Sequence, residues 1–184
     1  MVKHVRVAAA LLVFASTAMT LTGPRPAIAA EGIDRDVDAA LRVLYDTLPT
    51  AKALAANAKG ILVFPNIVKA GFLVGAQYGE GALLMGGKTA GYYNIAAASY
   101  GFQAGVQSFG YAMFLMSPSA LDYLYKSGGW EVGVGPSVVV FDEGLARTLT
   151  TSTIKEDIYA VVFGQKGLMA GAGLQGSKIT KTSP

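Results

Sequence analysis

Few side chains in this sequence are equipped for chemistry, and their spacing narrows the choice further. His4 is the single histidine, and cysteine is absent. Once residues 1–29 are set aside as a leader, for the reasons given below, neither imidazole nor thiol is left. Histidine-dependent triads, cysteine nucleophiles, His/Cys zinc sites, disulfides and iron–sulfur ligation are thereby excluded. Ser152 and Lys155 keep the S-x-x-K spacing that sets a serine and an activating lysine on one helical turn. Their Thr-rich surroundings, Thr148 to Thr153, make a poor helix, and no S-D-N or K-T-G element follows, so the stretch reads as a polar loop. Asp142-Glu143 and Glu156-Asp157 are adjacent acidic pairs, but neighbours in a strand point to opposite faces, so they read as solvated turn residues. Gly171-Ala172-Gly173-Leu174-Gln175-Gly176 has the G-x-G-x-x-G pattern, without the following helix and distant acid that a dinucleotide fingerprint needs. No catalytic residue, metal ligand or cofactor is therefore expected.

The lysines are more suggestive. Lys59 and Lys69 flank the first apolar strand, Lys88 follows a Gly-Gly turn, and Lys166 and Lys178 bracket the last glycine-rich stretch. Strand ends converge on the rims of a barrel or sandwich. Several lysines on one rim would form a site for anionic headgroups; ordinary surface solvation and edge protection are the plain alternative.

The elements that must position them begin after a leader. Lys3 and Arg6 precede an apolar stretch from Val7 to Leu21, and Ala27-Ile28-Ala29 is an A-x-A cleavage pattern. The apolar stretch, at about 15 residues, is short of the roughly 20 that cross a bilayer. Residues 1–29 are read as a cleaved signal peptide and 30–184 as one domain, exported to the periplasm or beyond. The leader takes Lys3, Arg6 and Arg25 of the 15 basic residues with it, which leaves as many basic as the 12 acidic ones. A neutral domain gives no support to nucleic-acid binding.

From Ile33 to Ala58, apolar residues recur at steps of three and four, which predicts an amphipathic helix with Asp34, Asp36 and Asp38 in its first turn, broken at Pro49 and stopped at Gly60. Beyond Gly60, runs of Val, Ile, Leu, Phe and Tyr interleaved with glycine suit strands, near 61–65, 70–86, 91–97, 99–116, 130–141, 157–164 and 167–179. Helices are expected at Pro118 to Lys126, capped by Ser117, and at Glu143 to Leu149. A G-Φ-x-x-G repeat places Gly71 with Gly75, Gly101 with Gly105, and Gly167 with Gly171. Within one strand, such glycines share a face and flatten it for close approach. A G-x-x-x-G membrane helix is disfavoured by Gln103 and Gln107, and an outer-membrane barrel by the predicted helices. The fold class expected is α+β: a strongly curved or barrel-like antiparallel sheet, glycine-rich, with an N-terminal amphipathic helix and one or two short helices.

Ala58-Lys59-Gly60-Ile61, Lys69-Ala70-Gly71-Phe72 and Lys166-Gly167-Leu168-Met169-Ala170-Gly171, with Leu174-Gln175-Gly176-Ser177, resemble the SYLF domain family over nearly all of residues 30–178. The resemblance implies a lipid-binding module. Eukaryotic relatives bind phosphoinositides and, in endocytic adaptors, actin, whereas bacterial relatives are exported. This chain lacks the lipoprotein cysteine of many bacterial relatives, and Met169 stands where the family has an aromatic residue. The expectation is a non-enzymatic protein of the cell envelope that binds an anionic lipid or membrane surface through its amphipathic helix and rim lysines. The alternatives are an envelope scaffold that binds another protein and, less favoured, a hydrolase built on Ser, Lys or carboxylates.

Overall fold

The computed structural model describes residues 26–72, 74–100, 105–126, 129–131, 136–142, 156–167 and 177–183. The expected helix at Glu143 to Leu149, Ser152 and Lys155, Gly101 and Gly171 lie outside them. Helix α1 spans Pro26–Thr47 and α2 spans Pro49–Asn57. Leu48 between them is extended, and Pro49 opens α2, where its missing N–H costs nothing. The break at Pro49 is as expected, but α1 begins several residues before Ile33, so Asp34, Asp36 and Asp38 fall outside its first turn. Asp34 instead clasps the helix to the sheet, with Thr89 Oγ1 donating to its Oδ1 (2.8 Å) and Tyr92 Oη to its Oδ2 (3.0 Å).

The strands are β1 (Gly60–Phe72), β2 (Val74–Met85), β3 (Lys88–Tyr100), β4 (Gly105–Leu115), β5 (Gly129–Glu131), β6 (Val138–Asp142), β7 (Ile158–Gly167) and β8 (Lys178–Thr182), with α3 (Pro118–Lys126) after β4. They form one curved, unclosed sheet in the order β5-β8-β3-β2-β1-β4-β7-β6. All described pairs are antiparallel except β6 with β7, which is parallel. The fold is thus the expected α+β class with a curved, mostly antiparallel sheet. Ser117 caps α3 as its sequence suggested, its Oγ accepting from the Ala120 N–H at 3.2 Å.

Each face of the sheet carries its own core. On the outer face, Val37, Leu41, Leu44, Leu48, Ala51 and Leu54 of the two N-terminal helices pack on Val63, Ala82, Ala112, Phe114, Tyr159 and Val161. The inner face gathers Leu62, Phe64, Ile67, Leu83, Tyr93, Ile95, Tyr111 and Met113 beneath Leu121 and Leu124 of α3. No described helix is long and apolar enough to cross a membrane.

Two bulges decide which side chains reach which face. On β1, Val63 pairs with Ala82 but Asn66 with Glu80, so one extra residue is inserted beside Pro65. Proline is tolerated at a bulge because the ladder there does not need its N–H, which is why β1 continues past the expected stop at residue 65. The insertion inverts the alternation: Phe64 and Ile67 both face inward, and so does Lys69. On β7, Phe163 pairs with Gly110 but Lys166 with Ser108, and Gly164 in this bulge has φ +58°, the left-handed region that favours glycine. Lys166 consequently shares the outer face with Phe163.

The glycine repeat works differently from the single-strand reading. Gly71 and Gly75 lie on separate strands as direct partners, and Gly71 also pairs with Gly105. The pattern brackets a change of strand, so the flattening runs sideways across β2, β1 and β4. Gly167 ends β7 opposite Gln107.

Candidate functional site

The five lysines singled out in the sequence do not share one rim. Lys59 and Lys88 are exposed at the end of the sheet where β1 and β3 begin, beside a groove of about 520 Å³ that also takes in Arg42 and Tyr45. Lys69 is not at a strand end: it lies within β1, faces inward and is only 4% exposed. Lys166 and Lys178 are brought onto a different exposed surface, the outer face of the sheet.

That surface is a cross-strand row on the outer face. Lys178 of β8 pairs with Ala96, Ala96 with Tyr78, Tyr78 with Val68, Val68 with Ser108, and Ser108 with Lys166 of β7. A second row, Ala98–Ala76–Ala70–Val106, lies beside it, one step nearer the ends of the β1–β2 hairpin strands. Tyr78 is 49% exposed, Val68 43% and Val106 62%. The N-terminal helices do not cover this half of the face. On the side toward α1, the row gives way to Asn94, Glu80 and Asn66, three polar partners in register. A groove of about 500 Å³ runs there between Ile33 and Asp36 of α1 and Asn66, Val68, Tyr78 and Glu80 of the sheet.

Local chemistry suits an interface. Tyr78 Oη donates to Glu80 Oε1 at 2.9 Å, and burial together with that carboxylate raises the phenol above its ordinary pKa, so it stays a neutral donor. The carboxylate of the border row is thus engaged, and the cations stand at the two flanks of an apolar centre. Composition hid this arrangement, since Val68, Tyr78 and Val106 look like core residues in the sequence. For Val68, the signal that could have revealed it is Pro65 inside an apolar run, which marks the bulge and hence the inversion of β1 after it.

Nothing in the described residues assembles a catalytic group. Ser177 Oγ accepts from Gln77 Nε2 at 2.9 Å, and no hydrogen bond among the described residues joins it to the Lys69 ammonium. No group of His, Cys, Asp and Glu that could hold a metal ion occurs among the described residues.

Residues 96–183, a little under half of the chain, match the model of the family described as Las17-binding protein actin regulator, the Ysc84 or SYLF family. That stretch is similar to the SYLF family. Among curated proteins none matches the chain. The matched stretch runs from Ala96 on β3 through β8, so it contains Ala96, Ser108, Lys166 and Lys178 of the exposed row. Val68 and Tyr78, which complete that row, are contributed by the β1–β2 hairpin that precedes it.

Proposed function

We propose that this chain is a non-enzymatic binding protein of the cell envelope that lays the bare half of its outer sheet face on an anionic lipid surface. The observation that carries the reading is the row Lys178–Ala96–Tyr78–Val68–Ser108–Lys166, an exposed apolar centre with a cation at each flank. Apolar and tyrosyl side chains partition into the headgroup boundary, and lysines gain about 1 kcal/mol each near an anionic surface. The family description names a protein by what it binds and not by a reaction, which supports a binding role.

The lipid contact belongs to the sheet in this reading, because the apolar stripe of α1, from Val37 to Leu48, is buried in the outer core. Export fits the same picture. Cleavage after Ala29 would shorten α1 only ahead of Ile33 and Val37, where its core contacts begin.

Flotation of the chain with vesicles of phosphatidylcholine alone, or mixed with phosphatidylglycerol, tests the proposal. Binding to the mixed vesicles that is lost in Val68→Asp, with the far-ultraviolet dichroism unchanged, is the expected result. Equal failure to bind either vesicle refutes it, and a cross-linked envelope protein in place of lipid would favour the scaffold reading.

A further inference from the structure

We infer that the inner face holds a second, internal site, in which Lys69 and the two glutamines beside it receive an oxyanion of the phosphate type. Tyrosines aside, the buried polar and charged side chains among the described residues are Lys69 (4% exposed), Gln77 (5%), Gln107 (3%) and Ser177 (0%). They are not scattered. Lys69 pairs with Gln77 on one side and Gln107 on the other, Gln77 pairs with Ala97, and Ser177 stands abreast of Ala97 because Ile179, two residues on, pairs with Ile95. One inward-facing row therefore collects all four.

The charge in this row is uncompensated among the described residues. Their ion pairs are Arg35–Asp36 and Lys126–Asp122, both on the surface, and the carboxylate of β2, Glu80, points to the opposite face. A cation taken out of water without a counter-charge is strongly disfavoured, so a buried lysine calls for an anion. The hydrogen bonding is incomplete as well. Gln77 Nε2 donates to Ser177 Oγ at 2.9 Å, but Gln107 Oε1 is buried with no partner. Buried amides in folded proteins are nearly always satisfied, and the Gln107 amide can present either its oxygen or its NH₂ toward Lys69.

The Lys69 ammonium and the Gln107 amide, on register partners of neighbouring strands and both buried, supply donors with no acid beside them among the described residues. Such a set selects an acceptor-only, negatively charged group, which is the chemistry of a phosphate oxygen. Room lies on one side of the row. The next inward positions are Gly75, Gly71 and Gly105, and a Cβ placed on Gly105 would meet nothing within 4 Å. The other side is closed by Ile95, Ile67 and Phe109, all buried. A ligand would therefore approach over the glycines, phosphate first.

The phosphate could be free or the headgroup of a single-chain lipid, and thermal unfolding of the full chain separates the two. The probes are inorganic phosphate, lysophosphatidic acid below its micelle concentration, and uncharged monoacylglycerol. The expected result is a Tm raised by lysophosphatidic acid and not by monoacylglycerol; a rise with inorganic phosphate as well shows that the anion alone suffices. Lys69→Met should weaken the response by about tenfold or more, since charge-assisted hydrogen bonds are lost, and Gln107→Leu should weaken it less. Should Lys69→Met not fold, Lys69→Arg keeps the charge and should keep the response while Gln107→Leu carries the test. Lys166→Ala with Lys178→Ala should leave the response intact, which separates this site from the outer surface. No Tm shift with either phosphate probe, an equal shift with monoacylglycerol, or a full response in Lys69→Met or Gln107→Leu would overturn the inference.

Discussion

Removing both flanking lysines of the outer row is the sharpest test of how charge placement governs membrane binding. Lys166 and Lys178 are separated by five inter-strand steps, about 24 Å along the sheet at roughly 4.8 Å per step. That exceeds the Debye length of about 8 Å at physiological salt, so their contributions should add independently. At about 1 kcal/mol each, Lys166→Ala with Lys178→Ala should cost about 2 kcal/mol, roughly a 30-fold loss in partition onto anionic vesicles. Lys59→Ala with Lys88→Ala is the matched control, because it removes the same formal charge elsewhere. Val68 lies eight residues along β1 from Gly60, about 26 Å from the end where Lys59 and Lys88 sit, so the control should change partition by less than about twofold. Co-sedimentation with mixed phosphatidylcholine and phosphatidylglycerol vesicles, with lipid titrated at fixed salt, measures both variants. Equal losses in the two variants would show that net charge alone matters and would refute the placement argument.

Two further tests address the framework. A methyl on Gly81 would run into the Val63 carbonyl oxygen and come within 2.8 Å of Phe64 Cδ1, so Gly81→Ala should force the β1 bulge to shift and destabilise the fold by about 1–3 kcal/mol, read from urea denaturation; an unchanged midpoint would contradict that packing. Burial raises the Tyr93 hydroxyl to about 12 and pushes that of Tyr111 up as well. A phenol whose folded pKa lies above its unfolded value of about 10 stabilises fully below that pH and loses its contribution as pH rises toward the folded value. Stability should therefore fall between about pH 10 and 12, and Tyr93→Phe with Tyr111→Phe should flatten that fall, whereas parallel curves would show that these hydroxyls are not the cause.

Much of the framework was legible because it depends on local rules. The break at Pro49, the Ser117 cap and the strand texture after Gly60 follow from proline geometry, side-chain capping and glycine's poor helix propensity, and each stands in the structure. The positions of the lysines were not legible, because they depend on register. An alternation read from Val63 onward sends Lys69 outward and Val68 inward, and the single residue inserted at Pro65 exchanges them. Glycine pairs four apart carry the same ambiguity. Gly71 and Gly75 satisfy a one-strand reading as well as a two-strand one, and only the pairing of Gly71 with Gly75 shows that the chain reverses between them.

The same bulge links the outer row to the inner one. By inverting the second half of β1, it turns Val68 out toward solvent and Lys69 into the interior, so one inserted residue makes the outer row apolar and the inner row cationic at once. The Gly164 bulge does the complementary thing on β7: it keeps Lys166 on the outer face and lets Gly167, without a side chain, stand opposite Gln107. With neither insertion, Lys69 would share the outer face with the N-terminal helices and Lys166 would point inward. A sheet that only had to fold would gain nothing from burying one lysine without a described carboxylate beside it and exposing a valine and a tyrosine next to it. The buried lysine and the exposed valine both arise from the one insertion at Pro65, while Tyr78 joins Val68 on the outer face through the unbroken alternation of β2.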